Sequence, residues 1–433
     1  MAKPLKGLPM LKNYLVLKRW GAALVLTMSC ALISPFSFSA NSQQALTLQT
    51  AIERTLQQNP QLHQFEFARQ RLASMRETSD LKPAYQLGVE LENFAGTGEV
   101  SSFDSAELTV ALSSVIELGD KRQSRIALAN AKMNTLELER QAQTLDVLGE
   151  LTGSFIQLMS TQQELKLAAE AVELSKSLHN TVKNRAHSGA ISDAEVMRAK
   201  AMLTQSNIQQ ENLRRRLERQ KIALARFWGS TKIEFSSVEG DLFAFGQSQA
   251  FSDLYTAVQQ SPAIMVFASE QRLKDAEVRL AQTQNRADLG WQFGVRRFEE
   301  TGDSALTLGF SMPLFSERRN RGAVKSALVE RNALEYRRRG RLLALHSQLY
   351  SAYSQREQFI AAHQQLKQSV IPDLEEALSI TREAYDRGRL KYQDWITAQQ
   401  ELLNAKQRLI ETAGSALLNQ AVIEQLTAQP LTE

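Results

Sequence analysis

The strongest constraint in this sequence is an internal duplication, in which one structural plan is written twice along the chain. The first copy opens with the segment 46–60 and the second with the segment 251–262. Four positions match at a constant offset of 202 residues: Ile52 with Leu254, Leu56 with Val258, Pro60 with Pro262 and Phe65 with Phe267. We therefore divide the chain into a first repeat over 40–245 and a second repeat over 246–433.

The N-terminal segment has the layout of a secretory signal peptide. Lys12, Lys18 and Arg19 precede an apolar stretch over 21–33, and small residues follow it. We predict that residues 1–39 are this signal and that the mature protein is exported. The segment carries five of the 51 basic residues and no acidic one, which leaves 46 basic against 47 acidic residues and a net charge of about −1.

The charge balance and the cysteine count exclude several classes of protein. The runs Arg214–Arg216 and Arg337–Arg339 interrupt helical patterns with glutamates nearby, so they predict solvated helix faces and no nucleic-acid partner. The single cysteine, Cys30, lies inside the signal, which leaves the mature chain without disulfides. The segment Thr27–Cys30 also resembles a lipoprotein processing site, and an acylated Cys30 is the alternative end of the mature chain.

Four segments alternate apolar and polar residues with the period of a β-strand. They form two hairpins, one in each repeat, over about 85–94 and 106–115 and over about 288–298 and 305–313. Strands of about ten residues with one apolar face are long enough to cross a bilayer when they are tilted. After the signal, no segment approaches the roughly 18 apolar residues of a transmembrane helix.

A sheet of four strands cannot close into a barrel, and lipid does not tolerate an open sheet edge. If the strands cross a membrane, several chains must contribute to one barrel, and three chains would supply twelve strands. The alternative is a small soluble sheet with one buried face, which has the same alternation.

Each hairpin is flanked by long helical patterns, predicted over about 122–186 and 192–228 and over about 322–387 and 391–427. A helix of some 65 residues would be about 100 Å long. Such length favours coiled-coil packing along narrow apolar seams. We expect a kink at Pro372 and tight turns at Gly189 and Gly388, after which a second helix returns.

Over its mature length the chain resembles the TolC-type outer-membrane efflux proteins. The motifs that carry the resemblance are Asn59-Pro60 and Ser261-Pro262, the segment 312–315, the turn Tyr385–Gly388, and Ala398-Gln399-Gln400. The segments 294–303 and 309–315 are similar to the CzcC-like branch of that family, which serves pumps for divalent metal cations.

The resemblance implies an α+β membrane protein: a trimeric 12-stranded β-barrel in the outer membrane, with four strands per chain, continuous with a long periplasmic α-helical coiled-coil tunnel. It implies a homotrimer that meets a periplasmic adaptor protein and an inner-membrane efflux pump of the resistance-nodulation-division type. It also implies passive export of divalent metal cations, with no cofactor. Drug or small-molecule efflux and type I protein secretion remain open alternatives, as does a soluble periplasmic coiled-coil scaffold.

The same resemblance supplies candidates for a periplasmic gate. Glu195 and Asp394 each lie six residues after a turn glycine, Gly189 or Gly388, and match the position of an acidic ring in the family. Tyr385 matches a position in the network that holds the helix pairs together when the channel is closed. The alternative role of both acids is to provide favourable charges in the first turn of a helix.

Nothing in the sequence predicts an enzyme or a metal centre. The histidines show no paired spacing with one another or with cysteine: His63, His179, His187, His346 and His363. No G-x-S-x-G, phosphate loop or dinucleotide fingerprint occurs.

Overall fold

The computed structural model describes residues 45–430, in which long helices flank one four-stranded antiparallel sheet. The predicted signal peptide over 1–39 and Cys30 lie outside the described residues. Within those residues, no helix combines the length and apolarity needed to span a membrane. The order of elements repeats: two short helices, a strand pair and two long helical arms, then the same again.

Nine α-helices and six strands are described between residues 45 and 430. The helices are α1 Leu48–Gln58, α2 Pro60–Ser79, α3 Lys121–His187, α4 Asp193–Ala225, α5 Phe251–Gln259, α6 Pro262–Thr283, α7 Ser316–Gln365, α8 Ile371–Asp386 and α9 Tyr392–Thr427. The strands are β1 Leu46–Thr47, β2 Gln86–Glu92, β3 Glu107–Ile116, β4 Val238–Glu239, β5 Leu289–Phe298 and β6 Ser304–Ser311.

The sheet joins the two hairpins in the order β2-β3-β5-β6. Its centre is the antiparallel pair β3–β5, in which Val110 lies opposite Val295 and Ile116 opposite Leu289. The outer strands, β2 and β6, each pair on one side only within the described chain. Strand β2 is shorter than the predicted segment 85–94 because Asn93 and Ala95 have positive φ angles of 55°, which stop the extended ladder.

The structure forms two compact units, each built from segments of both halves. Among the described residues, one comprises 45–53, 149–250 and 352–430, and its fully buried side chains include Phe155, Leu242 and Ile423. The other comprises Arg54–Leu148 and Phe251–Ser351, contains the four-stranded sheet, and buries Leu334 and Leu345.

The arm predicted over about 322–387, with a kink at Pro372, differs from the structure at its start and in the form of its break. Helix α7 begins at Ser316, directly after Phe315 ends the preceding loop with a φ of 60°. The arm is also interrupted by a π-helical turn over Leu366–Val370, before α8 begins with Pro372 in its first turn. A proline there removes one backbone donor and crowds the carbonyl four residues earlier, which is relieved by the wider turn.

Ion pairs tie the strands to the helices at one end of the sheet. The Lys121 ammonium, at the start of α3, lies 2.7 Å from the carboxylate of Asp288, which directly precedes β5. The Lys121 side chain is only 6% exposed, so this charge is paired where water is scarce. Arg125 pairs with Glu117 beside it.

A buried histidine lies on α7 where the loop before α5 crosses it. The ring centroid of His363 lies 5.5 Å from that of Phe243 and 5.1 Å from that of Phe245, and the side chain is buried. Its Nδ1 is 3.3 Å from the Leu409 carbonyl oxygen. Burial, aided by the positive charge of Lys367, lowers the pKa of His363, although the contact with Leu409 opposes this shift.

We expect this histidine to make the fold less stable in acid. An unfolded chain takes up the His363 proton near pH 6.5, while the folded chain takes it up only at lower pH, so stability falls as the pH drops below about 6.5. The variant His363→Gln, neutral at every pH, should lose less of its thermal midpoint between about pH 7 and about pH 5. The measurement is thermal unfolding followed by circular dichroism.

The matched control for this experiment is His187→Gln. His187 is exposed at the end of α3, where its Nδ1 lies 2.7 Å from the Lys183 carbonyl oxygen. This variant should keep the pH dependence of the wild type. If the thermal midpoint of the His363→Gln variant fell as much between about pH 7 and about pH 5 as that of the wild type, His363 would not be the source of the acid sensitivity.

Candidate functional site

The same kind of turn joins the two helices of each pair, α3 to α4 in the first half and α8 to α9 in the second. Helix α3 closes with Gly189 donating to the Ala186 carbonyl and Ala190 donating to Arg185, and α8 closes with the equivalent bonds from Gly388 and Arg389. These bond pairs are the Schellman motif, whose glycine must adopt a left-handed conformation. The φ angles are 73° at Gly189 and 75° at Gly388. The weaker turn sequence of the first half therefore gives the same backbone as the second.

The return helices also begin alike, and both candidate acids occupy the third helical position. Ser192 is the N-cap of α4, and its hydroxyl accepts a bond of 3.0 Å from the Ala194 amide. In α9 the Asp394 carboxylate accepts a bond of 2.9 Å from the amide of Lys391, the N-cap residue. Asp394 is exposed and satisfies a backbone donor that the helix itself cannot.

Glu195 is placed differently, although its position in the helix is the same. It is half-buried, and its Oε2 is buried without a hydrogen-bond partner among the described residues. Burial raises the pKa of the Tyr385 and Tyr392 hydroxyls, and the negative charge of Glu195 raises both further. The structure therefore brings Glu195 together with Tyr385, but it leaves Asp394 outside that group.

An apolar cluster, which we call the turn cluster, packs between the two helix pairs next to the turns. Its buried members come from both halves: Leu178, Val182, Ala199, Tyr385, Tyr392 and Trp395. The rings of Tyr385 and Trp395 lie 5.1 Å apart with an interplanar angle of 42°. All the aromatic side chains belong to the second half, so the halves contribute unequally to this contact.

Arg185 is the polar link across the turn cluster. Its Nη1 donates a bond of 2.6 Å to the backbone oxygen of Tyr385, and its guanidinium lies 4.5 Å from the centroid of the Tyr385 ring. The first contact is a charge-assisted hydrogen bond and the second is a cation–π contact. Together they join α3 to α8.

Burial also perturbs the two tyrosines of the cluster. Desolvation, with the negative charge of Glu195, raises the pKa of Tyr392 to about 12. Desolvation likewise raises the pKa of Tyr385, against the opposing charge of Arg185. Both phenols therefore stay neutral at physiological pH.

Sequence reasoning missed Arg185, Tyr392 and Trp395. Arg185 falls in the last turn of α3, where a basic residue is expected simply to complement the helix dipole. The aromatic pair Tyr392 and Trp395 shares one face of α9 at a spacing of three, and that spacing is a usable signal for a buried seam. Within residues 45–430 no group of three metal-ligating side chains is found.

The family described as outer membrane efflux protein matches the chain twice, over residues 51–230 and 254–429. Among curated proteins, the chain is similar to the cobalt-zinc-cadmium resistance protein CzcC of Cupriavidus metallidurans. The two are 25% identical over 322 residues, which cover 73% of this chain and 76% of that protein.

Solved structures with the same fold include two outer-membrane proteins. The CmeC outer membrane channel of Campylobacter jejuni superimposes with a TM-score of 0.72 at 16% identity, covering 93% of this chain and 94% of that one. The outer membrane protein VceC of Vibrio cholerae gives a TM-score of 0.72 at 17% identity, covering 89% and 96%.

We expect Arg185→Ala to loosen the turn that follows Tyr385. Losing the hydrogen bond and the cation–π contact should cost about 1.4 kcal/mol, which is about ten-fold faster amide exchange over residues 385–390. The measurement is hydrogen–deuterium exchange read by mass spectrometry.

Arg387→Ala is the matched control, since Arg387 lies on the exposed surface of its own helix and pairs there with Glu383. It should leave exchange at those amides close to that of the wild type. Equal acceleration in both variants would show that Arg185 does not hold the turn.

Proposed function

Because the chain belongs to the outer membrane efflux protein family, we propose that it is the outer-membrane channel of a tripartite resistance-nodulation-division efflux system that exports divalent metal cations. The α+β channel fold and the internal duplication predicted from the sequence are confirmed, as is the resemblance to the family. The protein is a channel and not an enzyme.

The surface of the four-stranded sheet is the observation that carries the proposal. One face presents a continuous band of large apolar side chains to the outside, among them Leu87, Leu306 and Phe310, which are 73%, 72% and 67% exposed. Single exposed apolar residues are ordinary on a soluble protein, whereas a band that follows four adjoining strands is not. Its chemistry fits the hydrocarbon core of a bilayer.

Aromatic side chains border this band at both ends, as in membrane barrels. Next to the helices, the rings of Tyr85 and Trp291 meet edge to face with centroids 6.2 Å apart. At the loop end, Phe94 stacks on Phe103 at 5.7 Å. Such rings favour the boundary between lipid tails and headgroups.

The edges of the sheet support a trimer. Gln86–Glu92 and Ser304–Ser311 are the outer strands, and lipid requires their free backbone groups to be paired. Antiparallel pairing of β6 with β2 of the next chain satisfies both edges at once. Three chains of four strands close a twelve-stranded barrel, and the adjoining helices extend into the periplasm as a tunnel.

The turn cluster is the proposed gate of this tunnel. Arg185 and Tyr385 fasten the first helix pair to the second, which supports Tyr385 as the residue that holds the closed state. Glu195, half-buried beside the tyrosines, and Asp394, exposed in the first turn of α9, supply carboxylates near the turns at Gly189 and Gly388. In three copies they would form six negative charges that favour cations in the lumen.

The cargo and partners are proposed from the likeness to a protein named for cobalt, zinc and cadmium resistance. A periplasmic adaptor and an inner-membrane pump would supply opening and energy. A groove between α3, α4 and α9 offers the adaptor a mixed surface around a cavity of about 250 Å³. Its lining combines amide side chains (Gln205, Gln209, Gln400, Asn404 and Gln407) with apolar ones (Leu167, Met202, Leu213 and Leu403).

Arginine substitutions on the two faces of β5 test the barrel. Phe293→Arg places a charge on the apolar face, which costs about 2–4 kcal/mol in a bilayer, so the variant should fail to assemble in the outer membrane. Gln292→Arg, one residue away on the polar face, should assemble normally. Membrane fractionation and trimer mobility in detergent are the measurements, and normal assembly of both variants would favour a soluble scaffold.

A deletion strain tests the cargo. Loss of the gene should raise sensitivity to zinc, cobalt and cadmium, and to nickel or copper if the export range is wider, and the wild-type gene should restore resistance. The readout is growth over a concentration series of each metal. Unchanged metal sensitivity with new drug sensitivity, or with a lost secreted protein, would overturn the metal assignment.

A further inference from the structure

Arg296, on β5, joins three strands on the polar face of the sheet. Its Nη2 lies 2.9 Å from the Glu92 carboxylate on β2, and its Nη1 donates a bond of 2.8 Å to Glu107 on β3. Its Nε donates a bond of 2.9 Å to the Thr109 hydroxyl, also on β3. Its planar fork thus satisfies two carboxylates and one hydroxyl from two neighbouring strands.

The charges of Arg296 and of the carboxylates around it on the polar face do not cancel. Glu90 shares the polar face with Glu92, and it lies opposite Thr109, which in turn lies opposite Arg296. Two carboxylates therefore pair with one guanidinium and a third lies in the same row of residues, which leaves a charge of −2 per chain. Asn93 donates to the Glu107 carboxylate at 2.9 Å and helps to fix it.

The next row of residues across the strands, on the side of the helices, carries only small side chains. Gly88, Ala111, Gly294 and Thr307 lie side by side across the four strands. A Cβ atom on Gly294 would lie only 2.7 Å from the Val110 carbonyl oxygen, so that position accepts nothing larger. The long charged side chains beside it therefore extend further from the sheet than the residues of this row do.

We propose that Arg296 sets the ion selectivity of the barrel by occupying a group of carboxylates that would otherwise retain divalent cations. The inference rests on the proposed function, since it requires the polar face to line the lumen. Carboxylate oxygens are the ligands that hard divalent cations prefer, and a conducting path must bind its cargo weakly enough to release it. The guanidinium holds Glu92 and Glu107 in ion pairs, so these carboxylates do not bind the passing cation. The remaining charge of −2 per chain still favours cations in the lumen.

Planar-bilayer recordings of the purified full-length protein test this role. Arg296→Gln should raise the permeability ratio of potassium to chloride roughly two- to four-fold, because three positive charges leave the lumen of a trimer at separations near the Debye length. Zinc should then block the potassium current at about ten-fold lower concentration than in the wild type, since the freed carboxylates supply its ligands.

Arg297→Gln is the matched control. Arg297 is the next residue of the same strand, so its side chain leaves the opposite face, where it pairs with Glu299. Its loss should change neither selectivity nor zinc block. Arg296→Lys keeps the charge and should retain the wild-type permeability ratio, which separates an effect of charge from a loss of bracing.

If Arg296→Gln does not assemble, the double variant Glu92→Gln/Glu107→Gln replaces it, and its selectivity should move toward chloride. Pores whose selectivity and zinc block are the same in the wild type and these variants would overturn the role of Arg296 alone. A wild-type protein that forms no pores would overturn the proposed channel, and the inference with it.

Discussion

Unpaired backbone groups at the two edges of the sheet are the constraint on which the rest of this structure depends. In the part of the chain that the structure describes, strands β2 and β6 expose apolar side chains along their length and pair with another strand on one side only. A soluble sheet protects such edges with charges, prolines or bulges, while a bilayer requires that they be paired. In the proposed outer-membrane location, a single chain is therefore an incomplete barrel, to which the duplication supplies two hairpins.

Two arginines connect the duplicated halves, and neither has an equivalent in the other half. Arg185 in the first half binds the backbone of Tyr385 in the second, whereas Arg296 in the second half binds Glu92 and Glu107 in the first. The residue that corresponds to Arg185, at an offset of 199, is Ala384. The two halves are similar in plan, and differences of this kind specialise the contacts between them.

The two acids at the helix starts show how equivalent positions acquire different environments. Glu195 and Asp394 occupy the same helical position after the same turn, yet Asp394 is exposed and bonded to a backbone amide, while Glu195 has a buried oxygen beside two tyrosines. The difference comes from Tyr392, whose counterpart in the first half is Asp193. The local helix start is thus conserved between halves, whereas the surroundings of the side chain are not.

The sequence by itself determined the duplication, the four strands with their alternating faces, the long helices and the glycine turns, because each of these depends on periodicity or on one residue with special backbone freedom. The structure alone decided the π-helical turn before Pro372, the early start of α7 and the identity of the arginine links. It also separated the environments of Glu195 and Asp394. The π-helical turn and the start of α7 depend on the local backbone beside Pro372 and Phe315, which hydrophobic periodicity does not reveal. The arginine links and the two acid environments depend on which side chains meet across distances of about two hundred residues, and such meetings are set by packing, which leaves no local pattern in the chain.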